Sequence, residues 1–350
     1  MLALIYTTIA ATLVAIVLVV ALRPLAIWLK LVDAPDERKQ HRGEVPLIGG
    51  PVIWLIVVAA GFFDPSGFPI AITLAGLALV ILGMLDDRRP ISPWFRLFCH
   101  LAISVVLVLS QDIHLHDIGV FAEIYDTPEL AWLHSALAIF AIIVAINAFN
   151  FIDGIDGLSA SMALMAITHL NLTFNLMGVQ QGPSVLFNSV VFIGALSGFL
   201  LFNLQVFNGR KIFLGDSGSM FIGMVIAISL LTVSQTNGAS NAPIPAALCL
   251  WMIAIPLTDM TTIIIRRILN GRSPMAPDRT HLHHILMSAG FSARRTLLVM
   301  ILSSMGAFWL GYGVYASFGE TISIAAFFAF MAVYYAGVQR SGMLVAYLGR

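Results

Sequence analysis

Long runs of apolar residues without a single charge set the reading of this chain before any individual residue does. They occupy 1–22, 45–63, 65–85, 97–111, 130–152, 157–209, 217–258, 296–319 and 321–339. A helix that crosses a bilayer needs about 20 predominantly apolar residues. Two of the runs are long enough for a pair of spans. The first breaks near Gly178 to Pro183 and the second between Gln235 and Pro245, where polar, Pro and Gly residues cluster. The later member of the second pair continues past Asp259 to about Ile265. The pattern thus predicts an all-α integral membrane protein of about eleven transmembrane helices, with 97–111 borrowing from its flanks to cross. Residues 1–350 read as one polytopic domain, with no repeat and no separate soluble part. Only Gln111–Tyr125 partly alternates polar and apolar positions, which predicts a short interfacial hairpin.

Charge then orients the spans. Laid out alternately, they sort the loops into two sets. One set comprises 23–44, 86–96, 150–156, 207–217, 266–295 and the tail from 339. It holds all 18 Lys and Arg of the chain, and the other set holds none. By the positive-inside rule the first set is cytoplasmic, which puts the amino terminus outside and the carboxyl terminus inside. The first cation is Arg23, after the first apolar run rather than before it, so that run reads as a span and not as a cleaved signal.

Composition agrees. The chain is 59% hydrophobic and 10% charged, whereas a soluble domain carries about 25% charged residues to solvate its surface. A formal net charge of zero gives no basic field for nucleic acid. Cys99 and Cys249 lie within apolar runs and read as packing residues rather than a disulfide framework.

Candidate chemistry clusters at the cytoplasmic ends of spans: Asp86 and Asp87, Asp153 with Asp156, Asp216, and Asp259. A transporter more often places ionisable residues near the midplane. A rim at one interface favours a reaction between a cytosolic and a membrane-borne reactant. Asp86 and Asp87 are adjacent on a helix, roughly 100° apart, and so face different partners. Asn147, Asn150, Asp153 and Asp156 recur at three-residue steps, which on a helix shares one face. They suit a nucleotide or a metal-bound phosphate, against a plain polar turn. Gly154 and Gly157 would let a ligand near the backbone. Leu214-Gly-Asp216-Ser-Gly-Ser219 reads as a phosphate- or metal-binding turn opening a helix, with a simple N-cap at Asp216 as the alternative. In Asp278-Arg279-Thr280-His281-Leu-His283-His284, His281 and His284 share a helix face while His283 points elsewhere. Phosphosugar contact, a solvated loop and zinc all remain open there. His100, His134 and His169 read as structural, and His114 and His116 lie away from any cluster.

Taken together, DAPDERKQHRGEVPLIGG (33–50), GMLDD, NAFNFIDGIDGL, FLGDSGS and PDRTHLHH resemble the polyprenyl-phosphate N-acetylhexosamine-1-phosphate transferases, the WecA and MraY superfamily. The RKQH…PLIGG and HLHH forms are more similar to the N-acetylglucosamine branch than to the cell-wall-precursor branch. The resemblance implies a phosphoglycosyltransferase of a bacterial cytoplasmic (inner) membrane with its active site on the cytoplasmic face. Such an enzyme would transfer N-acetylglucosamine 1-phosphate, or that of another N-acetylhexosamine, from its UDP-sugar to undecaprenyl phosphate. UMP would be released, at the first membrane step of O-antigen or related surface-polysaccharide synthesis.

The resemblance also implies Mg²⁺, with Mn²⁺ as a substitute, and leaves room for a homodimer. By resemblance Asp216 is the metal ligand, and Asn150 holds the metal-bound pyrophosphate. Asp156 reads the uracil edge and Phe213 stacks on its ring. Asp86, Asp87 and Asp153 are the candidate catalytic carboxylates, the first two acting on the lipid phosphate. Arg96 and Arg266 are candidate phosphate clamps, and Asn147, His281, His283 and His284 complete the substrate-binding set. The rival readings are a lipid-linked sugar transporter, which needs a path through the bilayer, and a membrane scaffold, which leaves the asparagine and aspartate ladder unexplained.

Overall fold

The computed structural model describes residues 2–33, 43–64, 67–115, 118, 130–207, 209–235, 244–275 and 280–340. The chain divides into two compact units interleaved in sequence: Met1–Asp112 with Gln180–Val225, and Ile113–Val179 with Ile226–Arg350.

In the first unit, helix α1 (Leu2–Trp28) packs along α7 (Pro183–Asn203) through small residues. The buried face of α1 is Ala11, Ala15, Val19 and Ala26. Opposite it stand Gly194 and Gly198, four residues apart. A Cβ on Gly194 would fall 2.6 Å from that of Ala11, and one on Gly198 would fall 2.3 Å from that of Ala15. Thr12 Oγ1 reaches the Gly194 carbonyl at 3.2 Å. In lipid no hydrophobic force separates helix from solvent, so close backbone approach at small residues drives association. The opposite faces expose large apolar side chains, such as Leu13 and Val17, as a lipid-facing surface requires.

Strands β1 (Val32–Asp33) and β2 (Val45–Pro46) form a two-residue antiparallel ladder. From β2 the chain zips onto the segment before Gly215. Phe213 N–H donates to the Pro46 carbonyl at 2.9 Å, and Gly49 N–H donates to the Phe213 carbonyl at 3.0 Å. Helices α2 (Gly49–Phe63), α3 (Ile70–Arg88) and α4 (Pro93–Gln111) follow, with Trp54 Nε1 donating to the Thr73 carbonyl at 2.9 Å. Helix α8 (Gly215–Ser234) starts in this unit.

The second unit holds α5 (Ala131–Phe151), α6 (Leu158–Met177), α9 (Ala246–Met252), α10 (Ala254–Leu269), α11 (Leu282–Ser288) and α12 (Ala293–Gln339). Its core gathers Trp251, Ala254, Ala307 and Phe327. Trp251 Nε1 donates to Ser323 Oγ at 3.1 Å, and its ring meets Phe327 edge-on at 5.2 Å. Gly311 is what admits the indole, since a Cβ there would sit 2.1 Å from Trp251 Cγ. Within α12 the backbone at Gly319 has φ 80°, so the 47 residues are two helices joined at a kink, as the gap between the last two apolar runs predicts.

Among the described residues, seven helices are long and apolar enough to cross a membrane, or up to eight if the bent α9–α10 pair is one span. The chain is therefore a multi-pass, all-α membrane protein. The other predicted spans lie on helices that miss these limits. Helix α2 has only 15 residues, and α6 carries His169, Asn171 and Asn175. The predicted continuous span from Pro245 to Ile265 is corrected: it breaks at Ile253 with a 79° bend. Pro256, in the first turn of α10, has no N–H to continue the ladder of α9. The predicted 111–125 hairpin and most of 33–42 lie largely outside the described residues.

Overpacking a close helix crossing costs about 1–3 kcal/mol. Gly198→Val should lower the thermal unfolding midpoint of the purified protein by several degrees. Gly313→Ala, where an added Cβ meets nothing within 4 Å, should leave it unchanged or slightly raised.

Candidate active site

In the first unit, glycines bring the end of α3 onto the start of α8. A Cβ on Gly83 would lie 2.2 Å from Ser217 N, and one on Gly215 would lie 2.6 Å from Asp87 Oδ2. Gly215 also has φ 72°, a conformation that side chains strain. The contact sets two adjacent carboxylates to different tasks, as their helical offset predicts. Asp87 Oδ1 accepts the Asp216 N–H at 3.0 Å, so Asp87 caps the helix on which Asp216 sits. Asp216 is thus not itself the cap. Asp86, 8% exposed, accepts the Ile91 N–H at 2.6 Å and pairs with Arg96. Arg96 Nη1 also lies 3.4 Å from Asp216 Oδ2. Three carboxylates and one guanidinium therefore meet at the amino end of α8, where the helix dipole and outward-facing N–H groups favour anions. Arg96, predicted as a phosphate clamp, is here the counter-charge of that acidic group.

Phe213 is half-buried two residues before α8, held on both sides by its bonds to residues 46 and 49, with Lys211 Nζ 4.7 Å above its ring. Asn203 Nδ2 donates to the Ile212 carbonyl at 2.9 Å and fixes the approach to it.

The second unit carries the remaining predicted residues. Asn147 and Asn150 lie in the last turns of α5, but the helix ends at Phe151. Asp153 and Asp156 fall in the turn that follows, closed by Gly154 N–H on the Ile152 carbonyl at 2.8 Å and Leu158 N–H on the Ile155 carbonyl at 3.1 Å. The single helical face predicted for all four is corrected accordingly. Gly157, with φ 76°, turns the chain into α6 in a way a side chain would resist. All four polar residues are half-buried, and Asn147 Nδ2 donates back to the Ile143 carbonyl at 2.8 Å.

The histidine segment also departs from the predicted helix face. His281 is the N-cap of α11, not part of it. The three rings form one group, with centroids 5.4 Å apart for His281 and His283 and 4.3 Å for His283 and His284. His283 is 1% exposed, both its ring nitrogens lack a hydrogen-bond partner, and a Cβ on Gly154 would fall 2.0 Å from its Nε2. Burial first, then neighbouring His284, lowers its pKa to about 3. Asp278 and Arg279 lie outside the described residues.

Arg266, the other predicted clamp, is half-buried in the last turn of α10. Its neighbour Arg267 is the one packed against this region, with its guanidinium 5.5 Å over Phe151 and a bond to the Pro274 carbonyl. Asp259 belongs to the predicted acidic rim, but the sequence gives it no task. In the fold it binds His281 Nδ1 at 2.7 Å and the Tyr334 hydroxyl at 2.7 Å. Nothing in the sequence marks Tyr334, one of two adjacent tyrosines in an apolar run.

Comparison with known proteins bears on this arrangement. A family model described as glycosyl transferase family 4 matches residues 69–234. Undecaprenyl-phosphate alpha-N-acetylglucosaminyl 1-phosphate transferase of Haemophilus influenzae is 35% identical over 289 residues, 81% of this chain and 79% of that protein. The protein of the same description from Pasteurella multocida is 34% identical over 336 residues, 94% of this chain and 92% of the relative. That of Salmonella typhi is 32% identical over 309 residues, 86% and 80% of the two chains. The chain belongs to the polyprenyl-phosphate N-acetylhexosamine-1-phosphate transferase family. In this transferase the family-model match runs from the start of α3 to the end of α8. It includes Asp86, Asp87, Arg96, the 147–156 turn and Asp216, and stops short of Asp259 and the histidines.

Among the described residues no group of three His, Cys, Asp or Glu side chains is arranged to hold a metal ion. Mg²⁺ on a substrate phosphate needs fewer, since it takes one or two carboxylates and fills its shell with phosphate oxygens and water. The all-oxygen donors at the start of α8 fit that demand. Asp87 Oδ2 is buried there without a hydrogen-bond partner. The transferase's Asn150 belongs to the other unit.

The pH response of His283 is a direct consequence of its burial. Its folded pKa of about 3 lies below the value of about 6.5 expected when unfolded. Between these values the unfolded chain takes up a proton that the folded chain refuses, so stability falls as pH drops from about 6.5 towards 3. Chemical unfolding across that range should show a shallower slope for His283→Leu than for the wild type.

Proposed function

We propose that this protein transfers N-acetylglucosamine 1-phosphate from UDP-N-acetylglucosamine to undecaprenyl phosphate and releases UMP. The observation that carries the proposal is the acidic group of Asp86, Asp87 and Asp216 around Arg96 at the amino end of α8, in a chain whose relatives bear that reaction in their description. In the step proposed, an oxygen of the lipid phosphate forms a bond to the phosphorus that bears the sugar. The bond from that phosphorus to the bridging oxygen of UMP breaks, and UMP leaves with the electron pair.

Such a transfer depends on positioning and on neutralising charge more than on covalent chemistry from the protein. Mg²⁺, held by Asp216, would neutralise the pyrophosphate and improve UMP as a leaving group. Asp87, capping α8 beneath Asp216, holds that carboxylate's backbone in place. Asp86 and Asp87 are assigned to the lipid phosphate, and Arg96 balances the acidic group until a substrate phosphate competes for it. Phe213 offers a fixed, half-exposed ring for the uracil. Asn147, Asn150, Asp153 and Asp156, with His281, His283, His284 and Arg266, are assigned to the nucleotide-sugar.

The topology assigned with this reaction has eleven spans: α1 to α8, the bent α9–α10 pair, and the two halves of α12. The amino terminus lies outside, and the active-site loops face the cytoplasm of a bacterial inner membrane. The confinement of all 18 Lys and Arg to one set of loops supports this orientation.

Purified protein should exchange labelled UMP into UDP-N-acetylglucosamine only when undecaprenyl phosphate and Mg²⁺ are both present. Absence of exchange under every lipid condition would reject the reaction. Asp216→Asn should lower kcat by about a hundredfold or more, the scale of losing one key electrostatic group, without loss of membrane insertion. A near-normal rate in that variant would reject the metal assignment.

A further inference from the structure

Asp259 is 1% exposed and sits in α10, three residues beyond Pro256. A carboxylate so buried persists only if its oxygens are fully engaged. Three donors engage it. His281 Nδ1 lies 2.7 Å from Oδ2, Leu282 N–H donates to Oδ1 at 2.9 Å, and the Tyr334 hydroxyl donates to Oδ1 at 2.7 Å. A staple between helices would explain such a network if it ended on inert groups. Here it ends on the first histidine of the HLHH segment.

The chemistry of the contact fixes more than position. An ionised carboxylate can only accept, so Nδ1 of His281 carries the proton. A carboxylate on one ring nitrogen sets the tautomer and leaves the other as the working atom. Phe151 stands edge-on to the His281 ring at 6.1 Å and limits its rotation. Tyr334 lines an apolar cavity of about 490 Å³ with Leu282, Ile285, Leu286, Leu310 and Phe330, so its hydroxyl reaches Asp259 from an apolar wall. A low-polarity surround strengthens each of these bonds.

We infer that Asp259 and Tyr334 are positioning residues, which hold His281 with Nδ1–H on Asp259 so that Nε2 is the atom presented to the phosphosugar. The inference rests on the assignment of His281 to the nucleotide-sugar. It gives the second half of α12, beyond Gly319, a part in the reaction.

The test is a mutant cycle on the full-length protein in lipid nanodiscs, reading kcat and KM for UDP-N-acetylglucosamine with undecaprenyl phosphate as acceptor. Asp259→Asn should lower kcat/KM about ten- to a hundredfold, the range for loss of an orienting carboxylate. Tyr334→Phe should cost less, with the loss divided between kcat and KM as in Asp259→Asn. In a His281→Gln background, neither change should cost more than about twofold further, because residues acting through one partner are not additive. Losses that multiply in the double variants overturn the inference. So does a His281→Gln enzyme with the wild-type rate. Thermal unfolding of each variant accompanies the assay. If Asp259→Asn does not fold, Tyr334→Phe, which deletes one hydroxyl, carries the cycle with His281→Gln. An inactive wild type would reject the proposed function itself, whereas an active wild type with multiplying losses rejects only this inference.

Discussion

The closeness of α3 to α8 is the constraint on which the acidic site depends. Like charges do not gather unless the backbone holds them. Here two absent side chains, at Gly83 and Gly215, let one helix end touch another's beginning. The N–H groups at that beginning, which lie outside the helix's own ladder, then supply the compensation. Asp87 takes one directly, and Arg96 bridges Asp86 and Asp216. The zipper of residues 46–50 onto 213–214 braces the same point from the far side. The PLIGG segment is thus part of the support of the site, although none of its side chains bears a functional group.

The second unit solves a different problem, that of holding polar groups in an apolar surround. It does so by giving buried groups dedicated partners, as Asp259 has, or by burying a ring that stays neutral, as His283 does. His169, stacked 4.2 Å over Phe308, is a third case, an imidazole treated as an aromatic packing surface. These residues look alike in the sequence, and their neighbours make them different.

What could be read from the sequence follows from how far each signal reaches. Apolar runs are local, so most helices, the Gly319 break and the start of α8 at Gly215 were legible. Acids beside Arg88 and Arg89 stand out against the runs, so Asp86 and Asp87 are legible as candidates from the sequence. The bend at Ile253 does not show in the apolar pattern, because the surrounding residues stay apolar through the break, although Pro256 marks it. The polar ladder at 147–156 has a spacing that fits one helix face. Gly154 and Gly157 instead close a turn after Phe151. Tyr334 was invisible, since only a contact 75 residues away in sequence gives it meaning. The Gly194 and Gly198 pair was readable as a small-residue motif, but its partner α1 lies far back in the chain.

Three bonds tie the last helical segment onto the bent pair: Glu320 accepts the Ala247 N–H, Ser323 receives the Trp251 indole, and Tyr334 reaches Asp259. Translation delivers these three side chains near the end of synthesis, long after α9 and α10 have left the ribosome. Until then the Trp251 indole lacks Ser323, and Asp259 has only the His281 and Leu282 donors. The Tyr334 bond to Asp259 is therefore the last of that network to form in biogenesis, and a ribosome that stalls at the Gly319 codon would leave a protein with its acidic cluster complete and Asp259 short of one donor.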